Sequence, residues 1–324
     1  MNKVDQDSVP RRMKITTIVP VYNEEACIEH FFERYSRAIA TIGDRYQFEL
    51  MFINNASRDR TLEIIQDLRS RDDRVKIITH SRNFGYQASV LSGLTYATGD
   101  AFIIIDVDCE DPPEMIPDFI RHWEAGYDVV YGERADRPES RLMVFARKMF
   151  YRLTRLIGDW EMILDMAEFS LFTDRIRRQV LRNMSTFPYI RGELSYVGFR
   201  RLGVPYRRQP RAFGETHYNF VRMAQFAVAG IFTSSTFPLR LMVYIALPLS
   251  MLDLLAMFMT LFTNLTIPLN ALIVGHLGFF CGCFAVLAIY ISRMYKDSAR
   301  RPVFIVDEQN STLPVSEPAT ESSR

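Results

Sequence analysis

The chain has 324 residues, 48% of them hydrophobic, and its 39 basic and 38 acidic residues leave a formal net charge of +1 at pH 7. This length exceeds one typical domain, and a charge near zero argues against nucleic acid as the main partner. The four cysteines are scattered along the chain, and we assign them no chemistry.

The first part of the chain predicts a strand followed by a helix. Residues 1–13 are expected to be a disordered tail, and no signal peptide is visible before the strand predicted at residues 14–21. The run PVYNEE at residues 20–25 ends this strand and indicates a turn, with two acids at the N-terminus of a helix that reaches about Ala40.

Two further strand and helix pairs follow. Residues 48–53 predict the second strand, and the turn residues at 54–59 lead into a helix from about Arg60. Residues 75–79 predict the third strand, and the run RNFG opens a helix at residues 86–97. Strands that alternate with helices in this way favour an α/β fold.

Acidic residues follow the fourth predicted strand directly. Residues 101–105 are apolar and rich in β-branched side chains, which predicts a strand buried on both faces of a parallel sheet. Asp106 and Asp108 then stand at its carboxyl end, where open α/β sheets bind ligands. The D-x-D spacing lets two oxygen donors share a divalent cation, Mg or Mn. Alone the pattern is weak, because paired aspartates also cap helices and lie in solvated loops.

The middle of the chain leaves one question open. Residues 128–132 predict a strand, and Glu133 and Arg134 follow it. Residues 140–157 show an apolar stripe flanked by basic side chains at helical spacing. This helix either forms a solvated edge of the domain or lies at a membrane interface beside anionic lipid.

The last third predicts membrane attachment. Residues 241–262 and 269–291 are apolar runs, each long enough to cross a hydrocarbon core of roughly 30 Å, so they predict a transmembrane hairpin. Residues 262–268 between them carry no charge, whereas basic residues follow the second run at residues 293–301. The positive-inside rule therefore places both termini, and the predicted α/β domain with them, in the cytoplasm at the inner membrane.

The segments beside the hairpin also carry expectations. Residues 219–240 include apolar positions at helical spacing and predict an amphipathic helix lying on the membrane. Asp253 lies within the first span, where an acid is costly, and we interpret it as packing between protomers of a homo-oligomer. Residues 293–324 are expected to be a cytoplasmic juxtamembrane segment and tail, disordered from Ser311 onward.

Several runs carry a resemblance to a known family. They are IVPVYNEE at residues 18–25, NNASRDRT at 54–61, SRNFGYQASVLSGL at 81–94 and AFIIIDVDCEDPPE at 101–114. Together they resemble the inverting GT-A-type glycosyltransferases of family 2 that include dolichyl-phosphate mannose synthase and the bactoprenol glucosyltransferases. The resemblance covers nearly the whole chain. It implies a Rossmann-like GT-A domain at residues 14–218 that binds a nucleotide sugar.

The resemblance also implies which residues bind the donor. The residues carried over are Pro20, Tyr22, Glu24, Asn55, Arg82, Asn83 and Asp106. Relatives commonly carry an aspartate at the position of Asn55, and that aspartate is interpreted as accepting a hydrogen bond from the nucleotide base of the donor. An asparagine can both donate and accept, which leaves the donor's base open.

Later runs are similar to the family's acceptor region. AEFSLF at residues 167–172 matches a G-D-F-R-L-like run, so Glu168 stands for the aspartate proposed as base or acceptor-positioning residue, and Ser170 replaces an arginine. IRGE at 190–193 and RAFGETHY at 211–218 match the R-G-l and R-x-x-G-x-[ST]-K-Y runs. His217 stands in place of the lysine.

The family's chemistry gives these residues roles. Asp106 and Asp108 would hold the cation against the donor diphosphate, and Glu110 is either a third oxygen ligand or a solvated loop acid. The acceptor phosphate, with a second pKa of about 6, is mostly ionised at neutral pH. We therefore expect Glu168 to position or tune more than it deprotonates. The residues expected to bind the acceptor phosphate are Arg134, Arg191, Arg211 and His217, of which Arg211 is also counted as catalytic with Asp108 and Glu168.

The sequence thus predicts an inverting transferase that moves a hexose, glucose from UDP-glucose, to undecaprenyl phosphate in the membrane lipid. Alternatives are another sugar, such as mannose or amino-arabinose, or an inactive membrane-tethered nucleotide-sugar binder that scaffolds a flippase or a second transferase. The Q-x-x-R-W signature of processive synthases is absent, since the only tryptophans are Trp123 and Trp160.

Overall fold

The computed structural model describes residues 11–134, 166–182, 188–210, 235–262 and 269–312, together with positions 149, 163 and 186. The chain divides into two compact units. We call the first the sheet unit; it comprises Met1–Ser140, Ile163–His217 and Pro302–Arg324. The second, which we call the hairpin unit, comprises Arg141–Met162 and Tyr218–Arg301.

The sheet unit contains a seven-stranded mixed sheet in the order β3-β2-β1-β4-β6-β5-β7. Its strands are β1 Lys14–Val21, β2 Gln47–Asn54, β3 Val75–Thr79, β4 Ala101–Ile104, β5 Val129–Arg134, β6 Met166–Thr173 and β7 Arg201–Tyr206. The helices are α1 Ile28–Ala40, α2 Thr61–Arg71, α3 Tyr86–Tyr96, α4 Ile116–Glu124, α5 Asp174–Arg182 and α6 Ile190–Tyr196, with short 3₁₀ turns at Gly43–Arg45 and Pro113–Met115.

The pairing of β4 corrects one expectation. β4 pairs with β1 in parallel, as the apolar run predicted, but its other neighbour, β6, runs antiparallel. The sheet is therefore mixed and not wholly parallel. β4 also ends at Ile104, although Ile105 is fully buried and its N–H donates to Ile18 O at 3.2 Å. β5 extends past the predicted end and includes both Glu133 and Arg134.

Each face of the sheet carries its own hydrophobic layer. In β1, Ile15 and Val19 belong to the layer beneath α1 and α4, whereas Ile18 belongs to the layer beneath α3 and α5. This follows from the alternation of side chains along a strand. The result is helices on both faces of the sheet, as the alternating pattern predicted. Phe119 of α4 stacks on Phe169 of β6, with ring centroids 4.5 Å apart, and both side chains are fully buried.

The topology brings the motif residues to one edge. The parallel register aligns Val21 with Asn54, and Asn54 with Thr79, so β1, β2 and β3 end together. In the antiparallel register of β6, Ser170 lies opposite Ile104 at the carboxyl end of β4. The start of β6 therefore lies at the same edge as the ends of the parallel strands.

Residues 302–312, which we call the C-terminal strap, belong to the sheet unit. Asp307 N–H donates to Thr79 O at 2.7 Å, and Ser81 N–H donates to Ile305 O at 2.9 Å. Thr312 N–H donates to Ile77 O, also at 2.9 Å. The expectation of disorder from Ser311 onward is thus wrong for Ser311 and Thr312, because both hydrogen-bond to β3.

The hairpin unit contains two long helices, α7 Phe237–Phe262 and α8 Leu269–Ser298. Both are long and apolar enough to cross a membrane, with mean hydropathy of 2.0 and 2.3 in their most apolar windows. α7 begins before the predicted span, and α8 continues past its predicted end at residue 291. The helix expected at residues 140–157 lies outside the described residues, apart from position 149. Of the amphipathic helix expected at residues 219–240, residues 219–234 lie outside the described residues, and residues 237–240 belong to α7.

The structure shows what Asp253 contacts within its own chain. Its Oδ2 lies 2.7 Å from Nε2 of His276 on α8, and Nδ1 of the same ring lies 2.7 Å from Leu272 O. Asp253 therefore has a partner within its own chain. A polar pair between adjacent spans lowers the cost of an acid at bilayer depth without a second protomer.

We predict that Gly93→Ala destabilises the sheet unit, because a methyl group at Gly93 of α3 would lie 2.4 Å from Ile18 Cγ2. Such overpacking typically costs about 1–3 kcal/mol, more than the gain in helix propensity from glycine to alanine. Gly278→Ala on α8 is the matched control, since the structure places no described atom within 4 Å of an added methyl there. Thermal unfolding in detergent should show a lower midpoint for Gly93→Ala alone, and an unchanged midpoint would contradict the packing of α3.

Candidate active site

A cleft of about 320 Å³ opens at the carboxyl edge of the sheet. Most of the predicted donor residues line it, and Arg82 is exposed instead, with its guanidinium 4.0 Å from the ring centroid of Phe84. The cleft is lined by Pro20, Val21, Tyr22, Glu24, Asn55, Asn83, Gly85, Tyr86, Ser89, Asp106, Val107 and Asp108.

The loops after β1 and β2 hold each other in place. Asn23 N–H donates to Ser57 Oγ at 3.0 Å, and Asn23 Oδ1 accepts from Arg58 N–H at 2.8 Å. Glu24 N–H donates to Thr61 Oγ1 at 2.9 Å. Asn23 and Ala56 have positive φ values of 55° and 58°, which are unfavourable for side chains other than glycine unless the surroundings hold them. The backbone of the turn that carries Tyr22 and Glu24 is therefore held by the loop after β2.

Asn55 also lines the cleft and is only 4% exposed. Its Oδ1 accepts from Phe84 N–H at 2.9 Å and lies 3.2 Å from His80 Nδ1. Its Nδ2 donates to Asn83 Oδ1 at 3.0 Å. Asn83 Oδ1 also accepts from Gly85 N–H at 2.9 Å, so the two asparagines form one network. His80 was missed by the sequence reasoning, because it belongs to none of the motifs.

Asp106 and Asp108 both face the cleft at the end of β4. The Tyr86 hydroxyl donates to Asp106 Oδ1 at 2.7 Å, and Asp108 Oδ1 accepts from Glu110 N–H at 3.1 Å. Burial, followed by the neighbouring charges of Asp108 and Asp111, raises the pKa of Asp106 to about 7. A cation between the two carboxylates would remove this repulsion and favour the ionised form of Asp106.

The two carboxylates fit a cation that also takes ligands from its substrate. Among the described residues no group of three or more acids, histidines or cysteines is placed to hold a metal. Mg²⁺ typically uses one or two carboxylates with substrate phosphates and water, which matches a pair. The structure does not bring Glu110 to this pair; its carboxylate instead forms an ion pair with Arg208.

Asp111 forms a second acidic centre that the sequence reasoning passed over. It is 1% exposed, and the Tyr206 hydroxyl donates to its Oδ1. Arg134 Nη2 lies 3.8 Å from Oδ2, and Arg208 Nε lies 3.8 Å from Oδ1. Burial and the Asp111 carboxylate raise the pKa of the Tyr206 hydroxyl, so it stays protonated and remains a donor. Arg134, expected at the acceptor phosphate, thus lies beside a buried acid.

Glu168 and Arg191 form an ion pair near the start of β6. Arg191 Nε lies 2.8 Å from Glu168 Oε1, although the orientation of its N–H does not make a hydrogen bond. Gln87 Nε2 donates to the same oxygen at 3.2 Å, and Gln87 Oε1 accepts from Ile190 N–H at 2.9 Å. Burial raises the pKa of Glu168, and the charge of Arg191 opposes this shift. Gln87 is a further residue that the sequence reasoning missed, and it ties α3 to α6.

Glu168 is electrostatically connected to the cleft. Burial and the charges of Asp108 and Asp111 are the larger causes of the raised pKa of Asp106, and the charge of Glu168 adds to them. The pKa of Tyr86 is raised first by burial and then by the charges of Asp106 and Glu168. Arg211 and His217, expected at the acceptor phosphate, lie outside the described residues.

Comparisons with known proteins agree with this architecture. The family model described as Glycosyl transferase family 2 matches residues 16–181, about half of the chain. An uncharacterized glycosyltransferase of Bacillus subtilis (strain 168), YkcC, is 36% identical over 307 residues, covering 92% of this chain and 94% of that relative.

Other relatives carry more specific names. A prophage bactoprenol glucosyl transferase homolog of Escherichia coli (strain K12) is 36% identical, covering 91% of this chain and 98% of its own length. The bactoprenol glucosyl transferase of Shigella phage SfV is 34% identical, covering 92% and 99%.

Among solved structures, glucosyl-3-phosphoglycerate synthase from Mycobacterium tuberculosis, in complex with Mn²⁺, UDP and phosphoglyceric acid, has a TM-score of 0.49 at 17% identity, covering 68% of this chain and 77% of that one. The family match and the coverage of relatives above 30% identity decide the assignment. The chain belongs to glycosyl transferase family 2 and is a glycosyltransferase built on a mixed α/β sheet.

Proposed function

We propose that this enzyme transfers glucose from UDP-glucose to undecaprenyl phosphate with inversion at the sugar carbon. The observation that carries the proposal is that one edge of the sheet holds both the Asp106 and Asp108 pair and the Glu168–Arg191 ion pair. An anionic donor and an anionic acceptor both need positive charge at such an edge. The relatives named bactoprenol glucosyl transferases support the same sugar and lipid.

The donor half follows from the cleft. The turn with Tyr22 and Glu24 would wrap the nucleotide, and Asn55 would contact the base. Asp106 and Asp108 would hold a divalent cation, Mg or Mn, which supplies positive charge to the diphosphate as it leaves. Because this charge develops as the glycosidic bond breaks, holding it stabilises the transition state more than the ground state.

The acceptor half follows from the charges beside the cleft. A phosphate oxygen of the lipid attacks the sugar carbon from the side opposite the diphosphate, the bond to the diphosphate breaks, and a glucosyl phosphate lipid and UDP result. The attacking phosphate has a pKa of about 6 and is already ionised at neutral pH, so it has little need of a base. Glu168 would orient Arg191, and Arg134, Arg191, Arg211 and His217 would bind the acceptor phosphate.

The location in the cell is part of the proposal. α7 and α8 would form a hairpin in the inner membrane with both termini and the sheet unit in the cytoplasm. A product made on that face needs a translocating protein to cross the bilayer, which makes a flippase the expected partner. A homo-oligomer is also part of the proposal, although Asp253, which pairs with His276 in the same chain, gives it no support.

The decisive experiment incubates purified protein with radiolabelled nucleotide sugars, undecaprenyl phosphate and Mg²⁺ or Mn²⁺, and then extracts the lipid. We expect label in the lipid with UDP-glucose and much less with GDP-mannose or an amino-arabinose donor. Label from another sugar alone would move the proposal to that sugar. Release of free sugar with none on the lipid would reject a polyprenyl phosphate acceptor.

We predict that Asp108→Asn lowers transfer by about 100-fold or more, since loss of even an outer-shell partner of a metal costs about 10–100-fold. EDTA should have the same effect on the wild-type enzyme. Asp118→Asn is the control, because the Asp118 side chain on α4 is half-exposed and, among the described residues, its ion pair is the i,i+3 pair with Arg121. Full activity in EDTA, or in Asp108→Asn, would reject the cation site.

We predict that Glu168→Gln lowers the rate by less than about 10-fold, whereas Arg211→Ala lowers it far more, because two anions then face each other. A general base contributes about 10²–10⁴-fold. A base also fails as the pH falls through its pKa, so the acid limb of the pH–rate profile should persist in Glu168→Gln if it belongs to the acceptor phosphate.

The control for this pair is Arg178→Ala, which removes an exposed arginine whose ion-pair partner among the described residues is Asp174 on α5. A Glu168→Gln loss above about 10³-fold with no acid limb, and a nearly silent Arg211→Ala, would make Glu168 the base.

We predict that a reporter fused after Arg324 is active in the cytoplasm and that one placed at Asn264 is exposed to the periplasm. The uncharged residues 262–268 and the basic residues at 293–301 support this orientation. The reverse result at either position would reject the hairpin topology.

A further inference from the structure

The orientation of the Asn55 amide can be assigned from its partners. Phe84 N–H can only donate, so the atom 2.9 Å from it must be the side-chain oxygen. His80 Nδ1 lies 3.2 Å from that same oxygen and must therefore carry its hydrogen. Both lone pairs of Asn55 Oδ1 are thus occupied by protein donors, and this oxygen has no capacity left for a ligand.

The side-chain nitrogen of Asn55, Nδ2, carries two hydrogens, of which one is donated within the protein. One Nδ2 hydrogen is donated to Asn83 Oδ1, which Gly85 N–H holds from the other side. In the part of the chain that the structure describes, the second Nδ2 hydrogen has no acceptor. Since Asn55 lines the cleft, this N–H is offered to a ligand there. A carboxylate at the same position would offer only a lone pair.

The C-terminal strap holds His80. The Phe304 ring stacks on the imidazole with centroids 5.6 Å apart and an interplanar angle of 9°. Ser81 N–H donates to Ile305 O, and His80 forms an antiparallel bridge with Val306. The ring is also packed edge-on against Phe84, at 5.7 Å. The imidazole thus has little freedom to turn away from Asn55.

Packing alone does not explain a histidine at this position. His80 is 1% exposed, and among the described residues its Nε2 has no hydrogen-bond partner. A buried polar atom without a partner is unfavourable, and an apolar ring would avoid it. Burial lowers the pKa of His80 to about 4, so the ring is neutral and donates from Nδ1 alone. The bond to Asn55 is the interaction that an apolar ring could not supply.

We propose that His80, held by Phe304 of the C-terminal strap, is a positioning residue for the donor's base, because it fixes the Asn55 amide with one Nδ2 hydrogen toward the cleft. This inference rests on the proposed function, in which a nucleotide sugar occupies the cleft. It makes a segment that follows the second membrane helix in the chain part of the donor site. An Asn55 amide held in one orientation discriminates between nucleotide bases, because it presents only an N–H donor. An amide that can exchange its oxygen and nitrogen by rotation would pair equally well with a donor or an acceptor on the base.

The test measures dissociation constants of UDP and CDP for the full-length protein in detergent with Mn²⁺, by calorimetry. Uracil and cytosine differ in the donor and acceptor pattern of their edges, so their affinity ratio reports the amide's orientation. We expect the wild type to bind UDP and CDP with different dissociation constants. His80→Phe keeps an aromatic ring against Phe304 but removes the Nδ1–H donor, so it should reduce the ratio of the two constants about fivefold, the usual contribution of one hydrogen bond. His80→Asn, whose amide can donate in place of Nδ1–H, should retain more of it.

Phe304→Leu tests the strap. It should reduce the ratio in the same direction and raise the donor KM while leaving kcat within about twofold, because the reacting groups are untouched. Ile305→Ala is the matched control, since Ile305 is 50% exposed and contributes its backbone oxygen to the pairing. It should behave as the wild type.

The outcomes separate the two proposals. An enzyme that transfers glucose from UDP-glucose but keeps its affinity ratio in both His80→Phe and Phe304→Leu overturns the positioning role alone. A wild-type protein that binds neither UDP nor CDP overturns the nucleotide-sugar donor as well. If His80→Phe fails to fold, Phe304→Leu and His80→Asn decide the question.

Discussion

The parallel pairing of β1 with both β2 and β4 is the constraint on which the site depends. It brings the ends of these strands to one edge, so the turn after β1, Asn55 after β2 and Asp106 after β4 line one cleft. Both faces of the sheet are covered by apolar layers, which hold these backbone ends in place. The polar side chains at the edge can therefore be exposed to a ligand without loosening the fold.

Positive charge at this edge is paired with some of the acids and not with others. Arg191 lies beside Glu168, Arg208 beside Glu110, and Arg134 and Arg208 lie 3.8 Å from Asp111. Among the described residues neither Asp106 nor Asp108 forms an ion pair: the Tyr86 hydroxyl donates to Asp106, and Glu110 N–H donates to Asp108. Burial and the neighbouring acids raise the pKa of Asp106. The place where positive charge is missing is the place where the proposed chemistry uses a cation.

The C-terminal strap brings a segment that is distant in sequence to the cleft network. Its backbone pairs with the end of β3, and its Phe304 ring stacks on His80 at the beginning of the loop that carries Asn83. His80 in turn lies 3.2 Å from Asn55, which lines the cleft. Residues outside the stretch that the family model matches therefore contact residues within it that line the cleft.

By itself the sequence determined the α/β class, most strand and helix positions, the two apolar helices and the D-x-D acids at the end of β4. These features follow from the local order of apolar and turn residues along the chain. It also pointed to Asn55 and Glu168 through resemblance. Only the tertiary structure decided that β6 runs antiparallel beside β4, that Asp253 meets His276, that Glu110 pairs with Arg208, and that Gln87, Asp111 and His80 support the site. These are contacts between residues far apart in the chain, and no local pattern encodes which partner a strand or a buried polar group will meet.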